Sequence, residues 1–206
     1  DGTARVVTAT TTPEGLNVSF TYNGELAAPT NAGSYEVVGT VVEGNYVGSV
    51  TNTLTVHPAE AVVVLNDLVQ TYDGTARVVT ATTTPEGLNV SFTYNGELAA
   101  PTNAGVYTVV GAIVDANYVG SATNTLVVSR AAATIILNNL TQTYDGTARV
   151  VDATTVPPGI NVTLTYNGSP NAPTNAGSYQ VVGVVDEDLY VGIITNTLVV
   201  NKAIAE

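Results

Sequence analysis

Several residue types are missing or rare in this 206-residue chain, and each absence excludes a class of function. Cysteine is absent, so disulfide bonds, thiol nucleophiles and thiolate metal sites are excluded. Only one histidine is present, His57, which excludes histidine clusters and with them most metal centres and catalytic triads. No apolar run approaches the roughly 20 residues that a membrane-spanning helix needs.

Basic residues are also scarce, with 5 Lys and Arg against 17 Asp and Glu and a formal net charge of −12. Proteins bind nucleic acids and anionic membranes through clustered basic side chains that neutralise phosphates. The five basic residues are instead dispersed along the chain: Arg5, Arg77, Arg130, Arg149 and Lys202. We therefore expect neither nucleic acid nor membrane insertion.

The residues that dominate the chain favour β-structure. Valine and threonine together make up about a third of the sequence, and both are β-branched residues that are enriched in strands. Hydrophobic residues reach 45% and charged residues only 11%, so the chain has enough apolar surface for a core. The composition predicts a folded all-β protein.

The chain is a tandem repeat with a period of 72 residues. Residues 1–33 are identical to residues 73–105, and a third copy aligns without gaps from Asp145. Repeat 1 lacks the counterpart of Val63–Tyr72, so we expect it to lack its first strand. The missing segment and the absence of an initiator methionine both predict a piece of a longer array.

The phase of the repeats predicts the domain boundaries. The predicted segments are repeat 1 at residues 1–58, repeat 2 at 59–130, repeat 3 at 131–202, and the start of a fourth repeat at 203–206. Only about three residues separate the last strand of one repeat from the first strand of the next. Such short junctions limit how freely neighbouring repeats swing.

Within one period the sequence predicts five or six strands separated by Gly, Pro and Asn turns. In repeat 2 the predicted strands are Ala61–Leu65, Ala76–Thr82, Asn89–Tyr94, Tyr107–Val114 and Ser121–Val128. Alternation along the last strand places Asn52, Asn124 and Asn196 on its apolar face, which predicts buried amides bonded to backbone groups. Alternation also places Tyr22, Tyr94 and Tyr166 at the end of an apolar face, packing the core with their hydroxyls at the rim.

An ordered set of motifs recurs in each period. Repeat 2 contains Tyr-Asp-Gly-Thr-Ala at 72–76, Tyr-Asn-Gly at 94–96, Pro-Thr-Asn-Ala-Gly at 101–105 followed by Tyr107, and Asn-Tyr-x-Gly at 117–120. This set resembles the MBG/YDG-type repeats of bacterial surface proteins. Repeat 3 departs from the pattern at Leu189, where the other repeats have Asn45 and Asn117.

The resemblance implies an extracellular, tandemly arrayed β-module of adhesin-like or stalk proteins, with no catalytic residues. The Ala-Gly-x-Tyr-x-Val segment looks like the entry to strand F of an immunoglobulin-like sandwich. The predicted fold is therefore an array of small antiparallel, immunoglobulin-like β-sandwiches of 72 residues. A β-grasp-like module is the alternative.

Acidic residues recur in the loop before the last strand of each repeat, at Glu43, at Asp115 and in the run Asp186-Glu187-Asp188. Calcium needs six to eight oxygen ligands, and only the run Asp186, Glu187, Asp188 offers several carboxylates. These three residues are the candidate metal ligands, and a solvated loop is the competing interpretation. Asp73 and Asp145 are separated by a whole repeat, so they are interpreted as turn residues rather than as paired acids of a hydrolase.

The sequence contains no nucleophile–base pair and no cofactor loop, so we expect no enzyme activity and no cofactor. The leading hypothesis is a stalk or spacer of a long bacterial cell-surface protein that projects an adhesive head, with neighbouring repeats as its partners. One alternative is a subunit of an extracellular filament or sheath, assembled from copies of the chain by strand complementation. A third hypothesis is that the modules themselves bind glycan or protein ligands in cell adhesion.

Overall fold

The computed structural model describes residues 2–205 and is built of β-strands. Within that range it contains no helix, and therefore no helix long and apolar enough to cross a membrane. The all-β prediction is confirmed. Asp1 and Glu206, the last residue of the predicted fourth repeat, lie outside the described residues.

Nineteen strands are present among residues 2–205, and they recur with the sequence period. Repeat 1 contains β1 (Val18–Tyr22), β2 (Gly33–Val41) and β3 (Ser49–Val56). Repeat 2 contains β4 (Ala59–Glu60), β5 (Val62–Asn66), β6 (Val69–Thr71), β7 (Thr80–Thr84), β8 (Val90–Tyr94), β9 (Gly105–Ile113), β10 (Tyr118–Val119) and β11 (Ser121–Ser129). Repeat 3 contains β12 (Ala131–Ala132), β13 (Thr134–Asn138), β14 (Thr141–Thr143), β15 (Asp152–Val156), β16 (Val162–Tyr166), β17 (Gly177–Val185), β18 (Tyr190–Val191) and β19 (Ile193–Asn201).

The strands belong to two compact units whose limits do not coincide with the repeats. The first unit comprises Asp1–Asn66, Val79–Ala99 and Thr108–Asn124. The second comprises Asp67–Val78, Ala100–Tyr107 and Thr125–Glu206. Each unit therefore contains one junction between consecutive repeats, and the two junctions can be described separately.

In the second unit, repeat 3 forms a two-layer sandwich. One layer is a sheet with the order β14-β19-β17-β16, and the other is the antiparallel pair of β13 with β15. Leu198 and Val181 of the larger sheet are fully buried, and Ile135 and Leu137 of β13 belong to the same core. This two-sheet arrangement agrees with the immunoglobulin-like prediction.

The sheets are mixed rather than purely antiparallel as predicted. The pairs β14 with β19 and β12 with β18 run parallel. The first strand of the repeat is divided at Asn139, which has a positive φ of 61°, and the chain there passes from one layer to the other. Because β13 and β14 belong to different sheets, β13 meets β15 antiparallel while β14 meets β19 parallel.

In the first unit, repeat 1 forms the antiparallel sheet β1-β2-β3. The repeat 2 residues in this unit include the antiparallel pair β5 with β7 and the pair of β8 with the Val109–Ile113 part of β9. Short parallel pairing joins β4 to β10. These pairings hold the start of repeat 2 next to the loop before its last strand.

Tight turns follow the strands that end in Tyr-Asn-Gly. Asn95 and Gly96 both have positive φ, 49° and 89°, as a two-residue type I′ turn requires. The Asn95 side chain also extends the strand ladder, because its Oδ1 accepts a hydrogen bond from Thr108 N at 2.8 Å. The Asn-Gly pair was predicted as the end of this strand, and the structure shows why an asparagine precedes the glycine.

Two predictions about strand details are wrong. The second strand was expected at Ala76–Thr82 but β7 begins at Thr80, because the preceding residues form a hydrogen-bonded loop described below. Asn52, Asn124 and Asn196 are exposed rather than buried. Asn52 Oδ1 accepts a hydrogen bond from the next backbone amide, Thr53 N, at 2.8 Å, so the side chain turns back on its own strand instead of entering the core.

Candidate functional site

The acidic loop of repeat 3 is joined to the start of β16. Glu187 Oε1 accepts hydrogen bonds from Asn161 Nδ2 at 2.6 Å and from Asn161 N at 3.3 Å. The backbone amide of Asp186 donates to Asn161 O at 3.0 Å. The structure thus places the candidate metal ligands Asp186, Glu187 and Asp188 in a loop where the central carboxylate already has a structural partner.

The same loop is stabilised in different ways in the other repeats. In repeat 1, Glu43 Oε1 accepts from Asn17 N at 2.9 Å and from Asn17 Nδ2 at 2.7 Å. In repeat 2, the shorter Asp115 accepts from Asn117 N at 2.7 Å and from Tyr118 N at 3.1 Å. Across residues 2–205, no group of three or more His, Asp or Glu side chains is arranged to hold a metal ion.

In repeats 2 and 3, the recurring tyrosine joins the two layers of the repeat. Tyr94 and Tyr166 are each only 4% exposed, so their rings pack the core as predicted. Their hydroxyls do not lie at the rim: Tyr94 OH accepts a hydrogen bond from Val79 N at 3.1 Å, and Tyr166 OH accepts from Val151 N at 3.0 Å. Buried rings of this kind offer no face for stacking against a sugar.

The Tyr-Asp-Gly segment forms a loop stabilised around one carboxylate. Asp73 Oδ1 accepts hydrogen bonds from Thr75 N at 2.9 Å and from Thr75 Oγ1 at 2.7 Å, and the carboxylate forms an ion pair with Arg77. Asp145 has the same arrangement, with Arg149 Nη2 at 2.5 Å. The threonine hydrogen bonds are the main reason that the pKa of each aspartate lies below its ordinary value of 3.8, and the arginine adds to the effect.

In the first unit, Asn117 joins repeat 2 to repeat 1. Its Oδ1 accepts a hydrogen bond from Ala32 N at 2.7 Å, and its Nδ2 donates to Asn31 Oδ1 at 3.3 Å. The backbone carbonyl of the same residue accepts from Ala59 N at 2.8 Å. One residue therefore contacts both the Pro-Thr-Asn-Ala-Gly loop of repeat 1 and the first strand of repeat 2.

In the second unit, the corresponding junction uses aromatic residues. Repeat 3 has Leu189 at this position, and its backbone carbonyl accepts from Ala131 N at 3.0 Å. The ring of Tyr72 in repeat 2 meets the ring of Tyr190 in repeat 3 edge to face, with centroids 5.5 Å apart and an interplanar angle of 87°. Such pairs contribute about 0.5–1.5 kcal/mol beyond the area they bury.

The glycine of the Asn-Tyr-x-Gly motif allows the backbone just before β5 or β13 to approach the motif closely. A Cβ atom on Gly120 would lie 2.1 Å from Ala61 O, and one on Gly192 would lie 2.3 Å from Ala133 O. In repeat 1 the corresponding Gly48 would meet only Val41 Cγ2, at 3.6 Å. Sequence analysis identified the motif but not its role, because the close approach involves a strand almost 60 residues away.

The comparison with known families agrees with these recurring features. The family model of the MBG domain matches three consecutive stretches of the chain, residues 1–60, 61–132 and 133–204. The chain belongs to the MBG domain family. The resemblance predicted from the motifs is thereby confirmed, whereas no curated protein matches the chain.

The first MBG repeat contains an open groove of about 360 Å³. It lies between residues 7–10 and the sheet β1-β2-β3, and its lining includes Phe20, Val37, Gly39 and Leu54. In MBG repeat 3 the counterpart of Leu54, Leu198, is fully buried in a core that includes residues of β13. The counterparts of β13 would precede residue 1, so this groove is not interpreted as a binding site.

Proposed function

We propose that this chain is a non-catalytic spacer, a run of MBG repeats in a bacterial extracellular surface protein that holds an adhesive head away from the cell. The observation that carries the proposal is the junction at Asn117. Its side chain makes two hydrogen bonds to repeat 1, and its backbone carbonyl accepts a third from Ala59 at the start of repeat 2. A spacer keeps the head at a fixed distance from the cell only if successive repeats resist bending relative to each other. Hydrogen bonds across a junction provide that resistance because they are directional.

The second junction supports the same role by different chemistry. The edge-to-face pair of Tyr72 and Tyr190 adds a contact between repeats 2 and 3 beyond the covalent link. The polar groups that were weighed as reactive or metal-binding are used inside the repeats: Asp73 binds Thr75 and Arg77, and Glu187 binds Asn161. Because these polar groups are occupied by contacts inside the repeat, they support a structural role for the module.

The junction can be tested with the Asn117→Leu variant, which introduces the residue that repeat 3 has at the same position. We expect spin labels placed in repeats 1 and 2 to show a broader distance distribution, because the hydrogen bonds to Ala32 and Asn31 are lost. The matched control is Asn45→Leu, at the equivalent and exposed position of repeat 1, which should leave the distribution unchanged. If Asn117→Leu leaves the distribution as narrow as in the wild type, the junction contacts do not restrict bending.

The spacer role itself can be tested in the whole surface protein on cells. Deleting these repeats should reduce attachment through the head, and replacing them with unrelated rigid β-domains of equal total length should restore it. Restoration by an unrelated sequence would distinguish a spacer from modules that bind ligand themselves. If only the MBG sequence restores attachment, the repeats contribute a specific surface and the spacer proposal is wrong.

A further inference from the structure

We propose that Tyr72 and Tyr190 form an oxidative cross-linking site, at which a one-electron oxidant joins repeats 2 and 3 through a dityrosine bond. The oxidant is of the peroxidase class, with hydrogen peroxide as the electron acceptor. This modification goes beyond the spacer role, because it gives the junction between two repeats a covalent state in addition to the noncovalent one.

The backbone holds the two tyrosines on either side of Arg130, the residue that separates β11 from β12. On one side, Tyr72 N donates a hydrogen bond to Ser129 O at 2.8 Å. On the other side, Tyr190 of β18 is paired with Ala131 of β12. Because both attachments are backbone contacts, the fold itself brings the two side chains together at the junction.

The ring contact distinguishes this pair from the other tyrosines of the chain. All eleven tyrosines lie within residues 2–205, and in that range Tyr72 and Tyr190 are the one pair whose rings meet, with centroids 5.5 Å apart. Both residues are half-buried, so their rings remain in contact with solvent. Tyr94 and Tyr166, by contrast, are only 4% exposed and have no partner ring.

The reaction removes two hydrogen atoms and forms one carbon–carbon bond. Each phenol loses an electron and a proton, which gives two phenoxyl radicals with spin density on the ring carbons beside the oxygen. One Cε atom of each ring forms the new bond, and each of these carbons then loses its proton while the oxygen gains one, which restores both aromatic rings. The two electrons and two protons lost in the first step reduce one hydrogen peroxide to two waters.

Contact between the rings favours coupling within one chain over coupling between chains. Two radicals that already lie side by side need not diffuse together, so the reaction has the advantage of an intramolecular step. The edge-to-face arrangement, with an interplanar angle of 87°, must change so that the two Cε atoms meet. Rotation about side-chain bonds supplies this change, and it is fast for side chains in contact with solvent.

The test treats the purified 206-residue chain, at low micromolar concentration, with hydrogen peroxide and a haem peroxidase. We expect a monomeric product that has lost two hydrogens and shows dityrosine fluorescence. It should migrate faster than the untreated chain on a denaturing gel, because the bond closes a loop between residues 72 and 190. Trypsin should then release residues 6–77 joined to residues 150–202, since an arginine or lysine ends each segment.

Three tyrosine-to-phenylalanine variants distinguish ring contact from exposure, and each keeps the aromatic ring that packs in the fold. Tyr72→Phe and Tyr190→Phe should each lower the yield of the joined peptides more than about tenfold, because the remaining phenol has no partner in contact. Tyr46→Phe is the matched control and should leave the yield unchanged. Tyr46 lies in the same 6–77 peptide and is more exposed than Tyr72, at 49%.

A ruthenium photo-oxidant with persulfate serves as a second reagent, small enough to reach half-buried rings. Joined peptides that require Tyr72 and Tyr190 but not Tyr46 would establish the site. Dityrosine found only in dimers, or a yield that falls in Tyr46→Phe, would overturn the proposal, because coupling would then follow exposure. Absence of the joined peptides with both oxidants, while other tyrosines are oxidised, would also overturn it. The spacer proposal depends on noncovalent contacts and is independent of these results.

Discussion

Replacing Tyr166 by phenylalanine tests whether the buried tyrosine hydroxyl joins the two layers of a repeat. The hydroxyl accepts a hydrogen bond from Val151 N at 3.0 Å, and the two residues are 4% and 2% exposed. The variant retains the ring, so the packing of the core is kept. It leaves a buried backbone N–H without an acceptor, which costs about 1–3 kcal/mol of unfolding free energy.

Repeat 1 supplies an internal comparison for this magnitude. Tyr22 OH accepts from Val7 N at 3.2 Å, but Val7 is only half-buried, so water can replace the lost hydroxyl. We therefore expect Tyr22→Phe to cost less than Tyr166→Phe. Tyr179→Phe is the second control, because Tyr179 OH donates to Asn175 O at 3.0 Å at an exposed site.

The assay is native-state amide hydrogen exchange, which reports on each repeat separately and does not assume that the array unfolds in one step. Exchange of the slowest amides of β13 and β17 should accelerate about 5- to 150-fold in Tyr166→Phe, corresponding to the expected 1–3 kcal/mol. Amides of repeat 1 should be unaffected. Equal, small effects of Tyr166→Phe and Tyr179→Phe would refute the assignment of a structural role to the buried hydroxyl.

Three further predictions use groups whose surroundings differ between repeats or change with solution conditions. Gly192→Ala should destabilise repeat 3 by about 1–3 kcal/mol in chemical denaturation, because the added Cβ would clash with Ala133 O. The control Gly48→Ala should be nearly neutral, since only Val41 Cγ2 lies near that position. Equal effects of the two substitutions would contradict the role of the motif glycine. Threonine hydrogen bonds lower the pKa of Asp73 and of Asp145 in the folded protein. Below pH about 4 the unfolded chain therefore binds more protons than the folded one, and the stability falls as the pH drops through the native pKa. Asp→Asn at both positions should flatten this dependence between pH about 2 and 5, and an unchanged slope would contradict the prediction. Calcium at about 1 mM should not change the midpoint of thermal unfolding, because the Glu187 carboxylate already accepts a hydrogen bond from Asn161. A rise of more than about 2 °C would instead support a calcium site at Asp186–Asp188.

Much of the architecture could be predicted because it depends on local chemistry repeated every 72 residues. The valine and threonine content predicted strands, and the Asn-Gly pairs predicted turns that the structure shows at Asn95 and Gly96 with positive φ. Alternation along Val90–Tyr94 predicted that Tyr94 packs the core. These features succeed because each is encoded within a few neighbouring residues.

The candidate contacts at the junctions and in the core could not be predicted in the same way, because they join residues that are distant in sequence. Asn117 was identified as part of a motif, but its bond to Ala32 spans 85 residues. The hydroxyl of Tyr94 was expected at the rim, and only the packing of two layers brings it to Val79 N. The short strand β6 was also missed, since no pattern in Val69–Thr71 indicates a strand or its parallel partner β11.

The sequence by itself determined the repeat period, the all-β class and the positions of the tight turns, since propensity, alternation and turn chemistry act locally. Tertiary structure alone decided which sheet each part of a divided segment joins. At Asn139, which has a positive φ of 61°, the chain leaves β13, which pairs with β15, and enters β14, which pairs with β19. The physical reason is that a β-strand is completed by hydrogen bonds to a neighbour, and these neighbours lie far away in the sequence, so only the packing of the two layers brings them together.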